Sequence, residues 1–175
     1  TIQVVDSPAI VETELDCVFP QYMVDETLSL WMPRTVELTS GTQLPIGTEL
    51  TIRARTNKPI KRVDLYNVDT GQTETLTLGD ADGAPLEFAY KIGSLQANLT
   101  LDVTLYDVDD VVTERPHRIF LAAVADEAPQ VDVRLKGIGT AVTPDVVIPV
   151  TGTIKDDYAI GSTWFDAEIV RAAPA

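Results

Sequence analysis

Apolar and polar residues alternate one by one through most of this chain. Leu50, Ile52 and Ala54 are interleaved with Thr51, Arg53 and Arg55. Leu86, Phe88, Tyr90 and Ile92 are interleaved with Glu87, Ala89 and Lys91, and Leu99, Leu101, Val103 and Leu105 with Thr100, Asp102 and Thr104. A period of two gives a strand one buried and one wet face, as an antiparallel sheet packed on one side requires. No window sustains the three-and-four spacing of an amphipathic helix together with start and stop signals. The pattern predicts an all-β chain.

Turn residues punctuate the runs every 8 to 12 residues or so, at roughly the spacing of a β-sandwich. Asp69-Thr70-Gly71 predicts a hairpin between residues 63–68 and 73–78, and residues 79–85 a longer loop. Asn57-Lys58-Pro59 and Asp107-Val108-Asp109-Asp110 mark two further turns. About eight strands fit between Ala9 and Val124, which predicts one complete immunoglobulin- or fibronectin III-like β-sandwich over residues 9–124. Residues 1–8 read as the end of a preceding segment. Ala125-Asp126-Glu127-Ala128-Pro129 reads as a short, stiff linker. Residues 130–175 then offer three or four strands, at 130–135, 146–154 and 163–170, too few to close a second sandwich. The expectation is a partial second module that packs on the first or on another chain. Because the pattern is already under way at Thr1, the chain reads as a piece of something longer.

Charge narrows the partners. Thirteen basic residues stand against 27 acidic ones, a net charge of −14, which repels nucleic-acid phosphates and anionic lipid surfaces. No apolar run approaches the roughly 20 residues of a membrane helix. With a single cysteine, Cys17, no internal disulfide can form. Cys17 shares a face with Val11, Thr13 and Leu15 and reads as a buried structural thiol, since no cation or helix start is there to activate it.

Three stretches carry a resemblance. Val4-Val5-Asp6-Ser7-Pro8-Ala9-Ile10 followed by Phe19-Pro20-Gln21-Tyr22, the linker Ala125-Asp126-Glu127-Ala128-Pro129-Gln130-Val131, and Lys155-Asp156-Asp157-Tyr158-Ala159-Ile160 resemble the tandem Ig-like region of large bacterial envelope proteins best represented among planctomycetes. Phe19 stands where that family has Tyr, and Ala159 where it has Gly. The resemblance implies an extracytoplasmic setting on a membrane-anchored parent, with neighbouring Ig-like modules of the same chain as partners. It implies no reaction.

Candidate chemistry is sparse. His117 is the only histidine, between Pro116 and Arg118, and no serine sits in a Gly-x-Ser-x-Gly elbow. One Cys and one His do not make a zinc ligand set. A non-catalytic chain is expected. Calcium is the main chemical alternative, because it takes six to eight oxygens from acidic loops. Its candidate ligands are Asp80 and Asp82, Asp107, Asp109 and Asp110, and Asp156 with Asp157. Asp is also a good turn former, which is the simpler account. A protein or glycan partner would use Trp31, which lies off the main alternation, or the cations Arg53 and Arg55 at the head of the cluster Arg53, Arg55, Lys58, Lys61 and Arg62. Tyr106, next to a core-facing position, is a further exposed aromatic. The simpler readings are Trp31 as a plug at one end of the sandwich and the arginines paired with acids such as Asp64.

Overall fold

A computed structural model describes residues 5–27, 29–79, 83–137, 145–158, 160–166 and 168 of the 175. The chain falls into two compact units, Thr1–Ala125 and Asp126–Ala175.

Nine strands among the described residues build the first unit: β1 (Ile10–Val18), β2 (Arg34–Glu37), β3 (Gln43–Pro45), β4 (Glu49–Thr56), β5 (Ile60–Asn67), β6 (Gln72–Thr77), β7 (Glu87–Ser94), β8 (Leu99–Asp107) and β9 (His117–Val124). They form a four-stranded sheet ordered β2-β1-β4-β7 and a five-stranded sheet ordered β3-β9-β8-β5-β6. All pairings are antiparallel except β3 with β9, which is parallel. Strands β1, β4 and β7 against β5, β8 and β9 reproduce the A-B-E against C-F-G arrangement of an immunoglobulin-like sandwich. The fold is an all-β sandwich.

The alternation in the sequence becomes the core. Leu15 of β1, Ile52 of β4, Val63 and Leu65 of β5, Val103 and Leu105 of β8 and Leu121 of β9 are all at most 2% exposed. Their polar neighbours along each strand stay at the surface, as a sheet packed on one face requires. Two positions depart from the simple pattern. The β1–β4 register shifts between Ile10 and Glu12; Val11 is exposed there rather than joining Leu15 and the buried Cys17. Leu86 precedes β7 and is exposed, while Phe88 begins the buried row. Burial pushes the Cys17 thiol pKa up, beyond what Arg34 offsets, in keeping with a structural rather than reactive sulfur.

The β5–β6 hairpin forms around Asn67, whose Oδ1 accepts from the backbone N–H of Asp69 and Thr70 at 2.9 and 3.0 Å. Gly71 closes the turn at φ +72°, a left-handed conformation that glycine adopts without strain.

A buried ion pair organises one end of the sandwich. Lys58, in the β4–β5 turn, donates from Nζ to Asp107 Oδ2 at 2.7 Å and to the Asp6 carbonyl at 2.9 Å. Asp107 Oδ1 accepts from the backbone N–H of Asp109 and Val111 at 2.9 and 2.8 Å. Beside it, Asn57 exchanges hydrogen bonds with Ala9 and donates to the Ser7 carbonyl. One pair thus ties the β4–β5 turn, the β8–β9 loop and the segment leading into β1. Burial alone would raise the Asp107 pKa, but the Lys58 hydrogen bond and the two backbone donors outweigh it and hold the carboxyl below its ordinary value.

The second unit contributes two strands among its described residues, β10 (Gln130–Leu135) and β11 (Val150–Lys155), paired antiparallel from Gln130 opposite Lys155 to Leu135 opposite Val150. The expected strand over 146–154 starts only after Pro149, which has no N–H to give to a ladder. Residues 163–166 and 168 form no strand; 167, 169 and 170 lie outside the described residues.

Removing one member of the buried pair leaves its partner charged and unpaired. Asp107→Ala should therefore lower unfolding free energy by about 3 kcal/mol at neutral pH. A depressed carboxylate pKa stabilises the fold above the unfolded value, near pH 4, and this contribution is lost as pH falls through the folded value. Urea midpoints of wild type and variant should differ widely at pH 7 and converge in strong acid.

Candidate functional site

The basic cluster is a set of matched pairs. Arg53 and Arg55 lie on the outer face of β4, where the register sets them opposite Glu14 and Glu12 of β1. Arg53 Nε meets Asp16 Oδ2, and Arg55 meets Glu12 Oε2 through Nε at 3.0 Å and a terminal nitrogen at 2.7 Å. Thr35 also donates to Asp16; its hydroxyl first, and Arg53 second, hold the Asp16 carboxyl below its ordinary pKa. The expected pairing with Asp64 does not occur, because Asp64 lies on β5 in the other sheet and contacts Arg62 at 3.4 Å. Lys58 pairs with Asp107, and Lys61 with Asp110 at 2.7 Å. Arg53 and Arg55 rim an open depression of about 330 Å³ together with Glu12, Glu14 and Glu87, so its mouth carries both signs of charge.

Trp31 is half-buried and held from two sides. Its backbone has φ +53°, directly after the bridge between Asp25 and Leu30. Its ring meets Phe19 edge-on at 5.1 Å, and the Arg34 guanidinium lies 5.2 Å from the Phe19 ring and 5.8 Å from the Trp31 ring. The indole packs against the core and seals its margin, the arrangement of a plug rather than a stacking platform. Tyr106 is likewise covered, with the Arg62 guanidinium 3.6 Å above its ring.

Exposed aromatics occur elsewhere. Tyr66 of β5 and Phe120 of β9 stand 42% and 45% exposed on the outer face of the five-stranded sheet. Between them, Arg118 grips Asp102 in a two-pronged pair of 2.7 and 2.8 Å, which lowers the Asp102 pKa. Alternation identifies both rings as outward, since Leu65 and Ile119 beside them are core.

The acidic turns separate into three cases. Asp80 and Asp82 lie outside the described residues. The Asp107 carboxylate already accepts three hydrogen bonds, Asp110 is paired with Lys61, and Asp109 is exposed. Asp156 and Asp157, in the second unit, come together with Asp126: one carboxylate oxygen from each lies within 4.8 Å of the others. The pairing explains this. Gln130 opposite Lys155 is the last rung of the β10–β11 ladder, so the residues just before β10 and just after β11 emerge at the same end. Glu127, Gln130 and Lys155 line the adjoining depression of about 220 Å³. Asp126 is legible as a ligand candidate only once that pairing is drawn. Three carboxylate oxygens at this separation fit the donor type of a hard divalent cation and supply part of its six to eight ligands.

His117 is exposed at the start of β9. Among the described residues, no helix is long and apolar enough to cross a membrane.

No family model matches the chain, and no curated protein matches it. Among solved structures, CopC from Methylosinus trichosporium OB3b is similar over 51% of this chain and 89% of its own length, at 11% identity and a TM-score of 0.37.

If Trp31 is a plug, Trp31→Ala costs stability and leaves surface recognition alone. The expected loss is about 2 kcal/mol, roughly half that of a fully buried aromatic. Urea denaturation measures it, and pull-down on cell-wall polysaccharide should not change.

Proposed function

We propose that this chain is a non-catalytic spacer and interaction module from the extracytoplasmic part of a membrane-anchored bacterial protein. The observation that supports this best is where the first unit takes in and releases its chain. Ala9 is bonded to Asn57 at the end that holds Lys58 and Asp107. Val124 leaves from the opposite end, where its carbonyl accepts from Ile46 and Gly47 donates to Leu95. Strands of eight or nine residues separate the two ends, a span of about 30 Å. A module with termini at opposite poles adds its whole length to a string of modules. The resemblance to tandem Ig-like envelope regions supports the same setting.

The role of such a module is geometric, so its identity should be replaceable while its span is not. In the parent protein, exchanging residues 9–124 for an unrelated sandwich of equal length with termini at opposite poles should preserve function. Deleting them should abolish it. Loss of function in the exchange as well as in the deletion would point instead to a specific surface on this module.

A second reading rests on the convergence of Asp126, Asp156 and Asp157, which favours a calcium site that stabilises the second unit. Melting the chain with calcium and with EDTA separates the two. A pure spacer gives superimposable curves, whereas a site of this kind raises the melting temperature by several degrees in calcium, and Asp156→Asn with Asp157→Asn removes the rise.

A further inference from the structure

A sheet edge is a row of unpaired backbone N–H and C=O groups, and an edge left long and regular invites a further strand. The first unit has four edge strands, and three of them are blunted. β2 has only four residues and follows Pro33. β3 has three and ends on Pro45. β7 carries Lys91, and its register with β4 slips between Leu50 and Thr51, beside Gly93 at φ +85°. β6 has none of these devices. It pairs with β5 from Gln72 to Thr77 without a break and holds no Pro, Gly, Lys or Arg. All of its residues but Leu76 are exposed.

The phase of the ladder shows what this edge offers. The Leu78 N–H donates to the Lys61 carbonyl at 2.9 Å, and bonded and non-bonded pairs alternate along an antiparallel ladder. Gln72, Glu74 and Leu76 therefore turn their backbone groups toward β5, and Thr73, Thr75 and Thr77 turn theirs out of the sheet. Among the described residues, no hydrogen bond closes on those outward groups. Every described strand already has a ladder partner, β10 and β11 being joined to each other. Threonine is a good strand former, and threonines directly opposite one another stabilise a pairing.

We propose that β6 of a second copy fills this edge, antiparallel about a two-fold axis at Thr75. The run Thr73-Glu74-Thr75-Leu76-Thr77 is self-complementary in that register, because its outward positions carry the same residue read in either direction. Thr75 faces Thr75 of the second copy, and each Thr73 faces the other copy's Thr77. Each facing pair exchanges two backbone hydrogen bonds. Glu74, the one charge on the strand, faces Leu76 of the second copy rather than another Glu74, and it keeps its bond to Tyr90. The two five-stranded sheets become one continuous sheet. Strands paired this way run oppositely, so the entry pole of one module lies toward the exit pole of the other. Under the spacer reading, on which this last consequence alone rests, the contact joins strings of modules that run in opposite directions.

Sedimentation velocity of the full chain, from low micromolar to several hundred micromolar, tests the proposal. A dimer whose fraction rises with concentration is expected. Thr75→Pro removes an outward N–H that β5 does not use. It should raise the dissociation constant about tenfold or more while the urea unfolding transition of the first unit stays where it was. Thr75→Lys and Thr75→Glu each set like charges against one another across the axis and should weaken the dimer likewise. An equimolar mixture of those two variants should regain the wild-type association, because only at the axis does a residue meet its own counterpart. A monomer at every concentration overturns the proposal and leaves the edge to a strand of another polypeptide. A dimer unchanged by Thr75→Pro, or a mixture no tighter than its separate parts, overturns it equally. The exchange test of the spacer reading is independent of all these outcomes.

Discussion

A pleated strand can hide only alternate side chains, so a sheet with one apolar face is stable only when a second apolar face is laid against it. The first unit meets that condition. Leu15 and Ile52 from one sheet and Val63, Leu65, Val103 and Leu121 from the other fill a common layer and are almost wholly removed from water. Everything polar is pushed to the outer faces, the edges and the two poles. The buried Lys58–Asp107 pair sits at one pole, where the β4–β5 turn, the β8–β9 loop and the entering chain converge. At the open edge between the sheets, the Tyr90 hydroxyl of β7 donates to Glu74 of β6. Burial first, and the neighbouring carboxylate second, push the Tyr90 pKa up to about 12, so the phenol remains a donor under ordinary conditions.

The same condition explains the charge pattern. A chain of net charge −14 spends its few cations where carboxylates crowd. Arg53 and Arg55 neutralise the acids of β1, Arg118 and Lys58 those of β8, and Lys61 that of Asp110 in the β8–β9 loop. Apart from the buried Lys58–Asp107 pair, these exposed pairs contribute little individually, about 0–1 kcal/mol. Their effect is local, each cation lying beside the carboxylate it neutralises. A group of cations that stands out in the sequence is therefore absorbed as internal neutralisation.

Period-two alternation and turn chemistry made the sandwich legible because burial on one face acts locally on each strand. Pairing partners were less legible. The sequence offers Asp64 to Arg53 as readily as Asp16, and only the assignment of β5 to the other sheet decides between them. The short strands β2 and β3 carry too few residues for alternation to register, and the bulge after Ile10 turned Val11 outward against a pattern that was otherwise sound. The acidic cluster in the second unit shows the same limit. Asp156 and Asp157 stand out as a run, but Asp126 lies thirty residues away in sequence and joins them only through the Gln130–Lys155 rung.

The parallel ladder between β3 and β9 pairs Gln43 with Ala122, Leu44 with Ala123 and Pro45 with Val124, at the very point where the chain leaves the first unit. At the other pole the chain enters through β1, laddered along nearly its whole length to β4. A pull on the two ends would drag β9 along β3 and β8, and β1 along β4, in the direction of the strands. Ladder hydrogen bonds run across the strands, so many would have to give way at once rather than one after another. Resistance to stretching is set by the height of the unfolding barrier rather than by equilibrium stability. With shear at both exits, this sandwich is built to yield late under tension, even where its thermal stability is unremarkable.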